Sequence, residues 1–253
     1  MPAAFFASSS LGFPSISESG CPVMLSRKRA MSPEPIEHEP GAQPGGSHLS
    51  FVAPPRGFYV RVAKPAMDRT IGAAALVVAS PILAVVAVAV RWRIGTPVLF
   101  RQRRCGLNGE PFDVLKFRTM RADRRSERAA VPVDRRLTHK SDADPRHTDV
   151  GRQLRKWSLD ELPQLWNVVR GEMSLVGPRP ELVEIVEGYE PWQHKRHLDR
   201  PGLTGLWQIS RRGEGLMHLY TDTDLEYIAT VSLRTDLKIL FRTIPAALSR
   251  SGS

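Results

Sequence analysis

Two adjacent carboxylates, Asp160 and Glu161, lie in or just before the first turn of a helix-periodic run, with Arg155 ahead of them and Arg179 beyond. Acids set among arginines suit chemistry on phosphate. Such chemistry needs a nucleophile that attacks phosphorus, a metal to neutralise phosphate oxygens and cations to hold the rest, and a carboxylate serves at neutral pH without prior deprotonation. Arg155 is placed either to clamp phosphate through a guanidinium's paired donors or to form a surface salt bridge. The acidic pair also has a structural reading. Ser158 and Glu161 fit a capping box, in which the serine bonds the Glu161 amide and the glutamate reaches back.

The elements that must carry these groups are partly legible. Leu162, Leu165, Trp166 and Val169 recur at the spacing of one buried helix face, and Gly171 supplies its stop. Phe112 to Phe117 reads as a strand, and Lys116 and Arg118 near its end face either the same anionic cleft or solvent. Pro178-Arg179-Pro180 is a stiff segment that fixes the backbone of its arginine. The highly charged stretch 121–145 reads as a solvated surface excursion.

Upstream, Ile71 to Val90 contains no charged residue. At ~1.5 Å per residue it would reach about 30 Å as an unbroken helix, enough to cross a bilayer. Pro81 at its midpoint removes a backbone hydrogen bond, and the Ser80 hydroxyl can satisfy a carbonyl freed one turn back, so a bent helix is expected. Basic residues flank both ends, Arg61, Lys64 and Arg69 before and Arg91 and Arg93 after, so no crossing direction is preferred. A re-entrant helix that dips into one leaflet and returns fits both features; a full span and a buried core helix are the alternatives. Near the other end, Leu237, Leu240, Phe241, Ile244 and Leu248 recur at helical spacing among Lys238, Arg242 and Arg250. They predict an amphipathic helix, bent by Pro245, that lies either at a membrane interface or against the core.

A chain of 253 residues with 42% hydrophobic content supports one domain plus appendages, and its net charge of +10 implies an anionic partner. Cys21 and Cys105 have no metal-ligand spacing and form no disulfide framework. Residues 1–57, rich in Ser, Pro, Gly and Glu, read as a disordered leader without the pattern of a signal peptide, and Met24 is a second candidate start. Without a Gly-x-Gly-x-x-Gly stretch, a dinucleotide-binding unit has no local support.

The run from Arg155 to Glu181, with Gly95-Thr-Pro-Val98, Lys116-Phe-Arg118-Thr-Met120, Pro201-Gly-Leu-Thr204-Gly205 and Asp236-Leu-Lys-Ile-Leu240, resembles the bacterial sugar transferase family, the monotopic phosphoglycosyl transferases. The likeness covers residues 64–243. It implies an enzyme on the cytoplasmic face of the inner membrane that moves a hexose 1-phosphate from a UDP-sugar to undecaprenyl phosphate and releases UMP, the first membrane step of exopolysaccharide or other surface glycan synthesis. By the same resemblance, Asp160 is the nucleophile that forms a covalent phosphosugar, and Asp160 and Glu161 are ligands of Mg2+. Arg155, Lys116 and Arg118 bind substrate, Pro178, Arg179 and Pro180 belong to the nucleotide-binding region, and Ser80 and Pro81 make the helix break. Asp224 and Tyr227 fall on the family's Asp-x-x-Tyr pattern, with a catalytic or a structural role.

The expected architecture is α+β and mostly helical. It comprises the leader (1–57), a re-entrant membrane helix region (58–93) and a membrane-associated catalytic domain (94–253) with a short β-hairpin from about Val98 to Met120 and interfacial amphipathic helices. The expected partners are the UDP-sugar, the polyprenyl phosphate and lipid, and not nucleic acid. The rival from another class is a membrane-tethered basic binding or scaffold protein, which the Arg-rich region 121–156 favours and the lack of interleaved aromatics there disfavours. Within the enzyme class, direct transfer to an acceptor with Asp160 only holding metal is the alternative mechanism.

Overall fold

The computed structural model describes residues 52–55, 57–121, 146–210 and 220–248. The expected leader and the charged stretch 121–145 lie almost wholly outside these residues, as do Cys21 and Met24, and so do the side chains of Ile244 and Leu248. A π-helical turn at Tyr59–Ala63 runs directly into α1, Lys64–Arg93, which stays helical through Pro81. Helix α1 is buried at both ends, and in its middle one face packs on the domain through Ala75, Leu76, Ala79 and Leu83 while the other is exposed. Lys64, Asp68 and Gly72 are buried near its start, and Val86 and Val90 near its end, whereas Val77, Val78, Ile82 and Val85 are exposed.

The two buried ends dock on one domain. At the first, the Lys64 ammonium donates to the Val176 carbonyl at 2.9 Å, and the Asp68 carboxylate accepts from the Ser174 hydroxyl at 2.6 Å. At the second, Val86 and Val90 pack with Phe117 and Leu154. Both ends are polar or packed where they meet protein, and the stretch between them carries no charged side chain.

After α1, strand β1 (Leu99–Cys105) pairs antiparallel with β2 (Pro111–Phe117), from Leu99 opposite Phe117 to Cys105 opposite Pro111. This is the expected hairpin. Its turn contains Asn108 at φ 55° and Gly109 at φ 78°, an Asn-Gly pair in the left-handed region that such turns favour. Helix α2 spans Asp149–Lys156 and α3 spans Gln164–Arg170, ended by Gly171 at φ 77° as expected of a glycine stop.

A second sheet was not foreseen. Strand β3 (Ser174–Val176) pairs in parallel with β4 (Gly202–Thr204), and α4 (Val183–Val186) lies in the excursion between them. Here glycine is required by close backbone approach: a side chain on Gly202 would start 2.1 Å from the Gly177 nitrogen, and one on Gly177 would start 2.3 Å from the Arg200 carbonyl. Helices α5 (Leu206–Ser210), α6 (Thr221–Thr230) and α7 (Leu233–Leu248) complete the fold, which is α+β and mostly helical.

The core gathers Val114 of β2, Leu165 and Val168 of α3, Leu175 and Val176 of β3, Leu225 and Ile228 of α6 and Ile239 of α7. Beside it lies a buried polar knot. The Asp236 carboxylate of α7 takes the Lys64 ammonium at 2.6 Å, the Tyr59 hydroxyl at 2.6 Å and the Tyr227 hydroxyl at 2.8 Å. Tyr227 thereby joins α6 to α7 and to the base of α1. In α7, Ile239 and Leu240 pack inward on the core, while Leu233, Leu237 and Phe241 form an exposed stripe.

Candidate active site

The acidic pair is not held by the capping box. Ser158 sits in the left-handed region at φ 53° and makes no side-chain cap bond. Its turn leads into a 3-10 turn, Leu159–Glu161, and Pro163 separates that turn from α3. The helix therefore starts at Gln164, later than the apolar spacing implied, and the buried face shifts accordingly. Leu165 and Val168 point inward, whereas Trp166, expected on the buried face, is 48% exposed.

Instead of capping, the Glu161 side chain binds two cations. Its Oε1 accepts from Lys116 Nζ at 3.0 Å and from Arg179 Nη2 at 2.9 Å. Lys116 is brought by β2 and Arg179 by the Pro178-Arg179-Pro180 segment that follows β3. Burial would push the Glu161 carboxyl up, but the Arg179 and Lys116 charges outweigh it and hold the group well below the usual carboxylate range. The Glu161 charge in turn raises the Arg179 guanidinium, and burial lowers the Lys116 ammonium.

Asp160 is buried beside this cluster, at 8% exposure. Burial, and after it the adjacent Glu161 charge, raise its carboxyl above the ordinary value, with Lys116 and Arg155 opposing. Arg155 lies in the last turn of α2, where its guanidinium meets the His147 ring. Two neighbouring carboxylates are pushed apart in basicity: one is firmly ionised by its cations, and the other is made more basic by enclosure.

Arg118 donates to the Thr96 carbonyl at 2.5 Å and to the Met120 carbonyl at 3.1 Å, bracing the chain that enters and leaves the hairpin. Ser80 and Pro81 lie on the exposed face of α1, where the Ser80 hydroxyl donates to the Val77 carbonyl. Pro178 and Pro180 line a small cleft with Cys105, Arg196, His197 and Asp199. Arg196, 2% exposed, was missed because Lys195-Arg196-His197 reads as a solvated basic run; its counter-ion, Asp224, lies in another element. The Asn108-Gly109 turn was the signal that would have sharpened the hairpin.

The donor set fits a magnesium ion only in its sparse form. Among the described residues no group of three or more His, Cys, Asp or Glu side chains comes together. Mg2+ commonly takes one or two protein carboxylates and completes its shell with water and substrate phosphate, so Asp160 and Glu161 suffice in kind.

Residues 59–250 match the family model described as bacterial sugar transferase. Over 200 residues the chain is 43% identical to the exopolysaccharide production protein ExoY of Sinorhizobium fredii, covering 76% of this chain and 88% of that one. It is 43% identical over 207 residues to the UDP-glucose:undecaprenyl-phosphate glucose-1-phosphate transferase of Caulobacter vibrioides, covering 77% and 74%. With the Escherichia coli protein of the same description it shares 40% identity over 196 residues, which is 73% of this chain and 40% of that longer one.

Proposed function

Because the chain belongs to the bacterial sugar transferase family, we propose that it transfers a hexose 1-phosphate from a UDP-sugar to undecaprenyl phosphate and releases UMP, through a covalent phosphosugar on Asp160. That membership makes it a phosphoglycosyl transferase and sets aside the tethered-scaffold reading. The observation that carries the mechanism is the division of labour at the acidic pair. Lys116 and Arg179 both close on Glu161, while Asp160 beside it is buried and made more basic.

In the first half-reaction an Asp160 carboxylate oxygen attacks the sugar-bearing phosphorus. The bond from that phosphorus to the bridging oxygen breaks, and the oxygen leaves as part of UMP. In the second, an oxygen of undecaprenyl phosphate attacks the same phosphorus and the Asp160 oxygen departs as carboxylate, which leaves a sugar diphosphate on the lipid. Attacking and departing oxygens are ionised throughout, so little general-base help is required. The obstacle is repulsion between anions, and Arg155, Lys116 and Arg179 supply fixed positive charge against it. Arg179, held between prolines, contacts the nucleotide's phosphate or base. Asp160 or Glu161 would hold Mg2+, which would supply further charge neutralisation at the phosphates.

Helix α1 enters and leaves the same leaflet in this reading, with the catalytic domain on the cytoplasmic face of the inner membrane. The support is that its two ends both dock on the one domain, by Lys64 and Asp68 at one end and Val86 and Val90 at the other. A crossing helix would present its ends to opposite faces of the bilayer, where one domain could not take both. The exposed Leu233, Leu237 and Phe241 stripe of α7 lies in the interface beside it.

The test is UMP release by detergent-purified protein from a panel of UDP-sugars with Mg2+ and undecaprenyl phosphate, wild type against Asp160→Asn. Release with one sugar, a matching mass increase on wild type alone, and silence in the variant are expected. Release retained by Asp160→Asn would remove the covalent step.

A further inference from the structure

The three carbonyls of Pro178-Arg179-Pro180 are each taken by a donor from a different part of the chain. The Gly202 amide donates to the Pro178 carbonyl, Arg196 Nη2 to the Arg179 carbonyl and Arg104 Nη1 to the Pro180 carbonyl, each at 2.8 Å. Neither proline has an N–H, so these carbonyls are the main backbone handles by which the fold can grip the segment.

Arg196 is the most enclosed of the donors. It lies in a 3-10 stretch, Gln193–Leu198, at 2% exposure. Its guanidinium pairs with the Asp224 carboxylate of α6 at 2.5 Å, donates to the Tyr189 hydroxyl and stands 5.8 Å from the Tyr189 ring centroid. Enclosing a cation this fully is costly, and a planar fork that meets three acceptors is what an arginine offers and a lysine does not. One of those acceptors is the backbone of Arg179, whose side chain reaches Glu161 next to Asp160.

We propose that Arg196, held by Asp224 and Tyr189, is a positioning residue for Arg179. It fixes the backbone from which the Arg179 guanidinium reaches Glu161 and the donor substrate. The proposal rests on the reading of Arg179 as a substrate contact. It also gives Asp224 of the Asp-x-x-Tyr pattern a structural role, as the counter-ion that lets Arg196 be buried and ionised, while Tyr227 of the same pattern serves the Asp236 knot.

A double-mutant cycle tests this, with kcat/KM for UMP release measured for UDP-glucose, or for the UDP-sugar the panel selects, with undecaprenyl phosphate in detergent. Arg196→Lys is expected to lower kcat/KM about tenfold, chiefly through KM for the UDP-sugar, and to change it less than about twofold when Arg179→Ala is already present. No loss on Arg196→Lys, or an equal loss in both backgrounds, overturns the proposal. If Arg196→Lys yields no folded protein, Tyr189→Phe, which removes one acceptor and keeps the ion pair, is measured in the same two backgrounds. The same non-additivity with a smaller loss is expected, and additivity overturns the proposal. An Arg179→Ala enzyme as active as wild type overturns the reading of Arg179 itself, and a damaged Arg179→Ala beside an additive Arg196→Lys overturns the positioning alone.

Discussion

The Ser80 hydroxyl donates to the Val77 carbonyl at 2.7 Å, and that carbonyl is the one Pro81 leaves without an amide partner. The serine thus completes, from a side chain, a bond that the proline deletes from the backbone. In an apolar surrounding no water would do it instead. Ser80→Ala is expected to destabilise the detergent-solubilised protein by about 1–2 kcal/mol, read as a lower thermal midpoint. A midpoint unchanged from wild type would show that the carbonyl finds another donor.

The topology of α1 is open to thiol labelling. Phe58 and Trp92 flank the helix and are 76% and 82% exposed. In a background with Cys21 and Cys105 replaced by serine, Phe58→Cys and Trp92→Cys are each expected to resist an impermeant thiol reagent in spheroplasts and to react after lysis. Labelling of only one of the two in intact spheroplasts would mean that α1 crosses.

The carboxylates are expected to fail differently. Asp160→Asn should lower UMP release by at least about 10³-fold and abolish the mass adduct. Glu161→Gln should lower the rate on the order of 10²-fold while the adduct still forms, since it loosens Lys116 and Arg179 without removing the attacking oxygen. An adduct lost in Glu161→Gln and kept in Asp160→Asn would exchange the two roles.

Acid should weaken the fold through His197. Burial, and then the Arg196 and His194 charges, bring its imidazole down to about 3. Between an unfolded value near 6.5 and this one the unfolded chain binds the extra proton, so stability is present above about pH 6.5 and is lost as pH falls. At pH 5 the loss is about 2 kcal/mol. Asp224, pushed up to about 6 by burial against the pull of Arg196, works in the opposite direction over part of this window. Chemical denaturation of wild type and His197→Gln at pH 7 and pH 5 separates the two: the variant should lose less. An equal loss in both proteins would clear His197.

Excess EDTA is expected to stop UMP release and added Mg2+ to restore it. A rate unaffected by chelation would leave Arg155, Lys116 and Arg179 as the full source of positive charge.

What was legible in the sequence was what local pattern encodes. The apolar run of α1, the alternating hairpin strands and the Gly171 stop depend on neighbours a few residues apart. The parallel pair β3 and β4 escaped because each strand has three residues, too few for a period, and their closeness depends on Gly177 and Gly202 meeting across the chain. Trp166 was placed on the wrong face because the left-handed Ser158 and the 3-10 turn after it delay the helix. The structure brings Lys116 and Arg179 to Glu161, and nothing local distinguished them from Arg118, which donates to the Thr96 and Met120 carbonyls. The buried Arg196 was hidden because its partner Asp224 is remote in sequence.

The Lys64–Asp236 pair sets an order on assembly. The partners are 172 residues apart, so at ribosomal speeds of about 5–20 residues per second the lysine is made roughly 10–35 s before the aspartate. During that interval α1 is already complete and free to enter lipid, yet its base has no counter-ion and cannot be buried without a heavy desolvation cost. Closure of the domain onto the base of the helix therefore comes last, when α7 delivers Asp236. A chain that ends before α7 would leave Lys64 without that counter-ion.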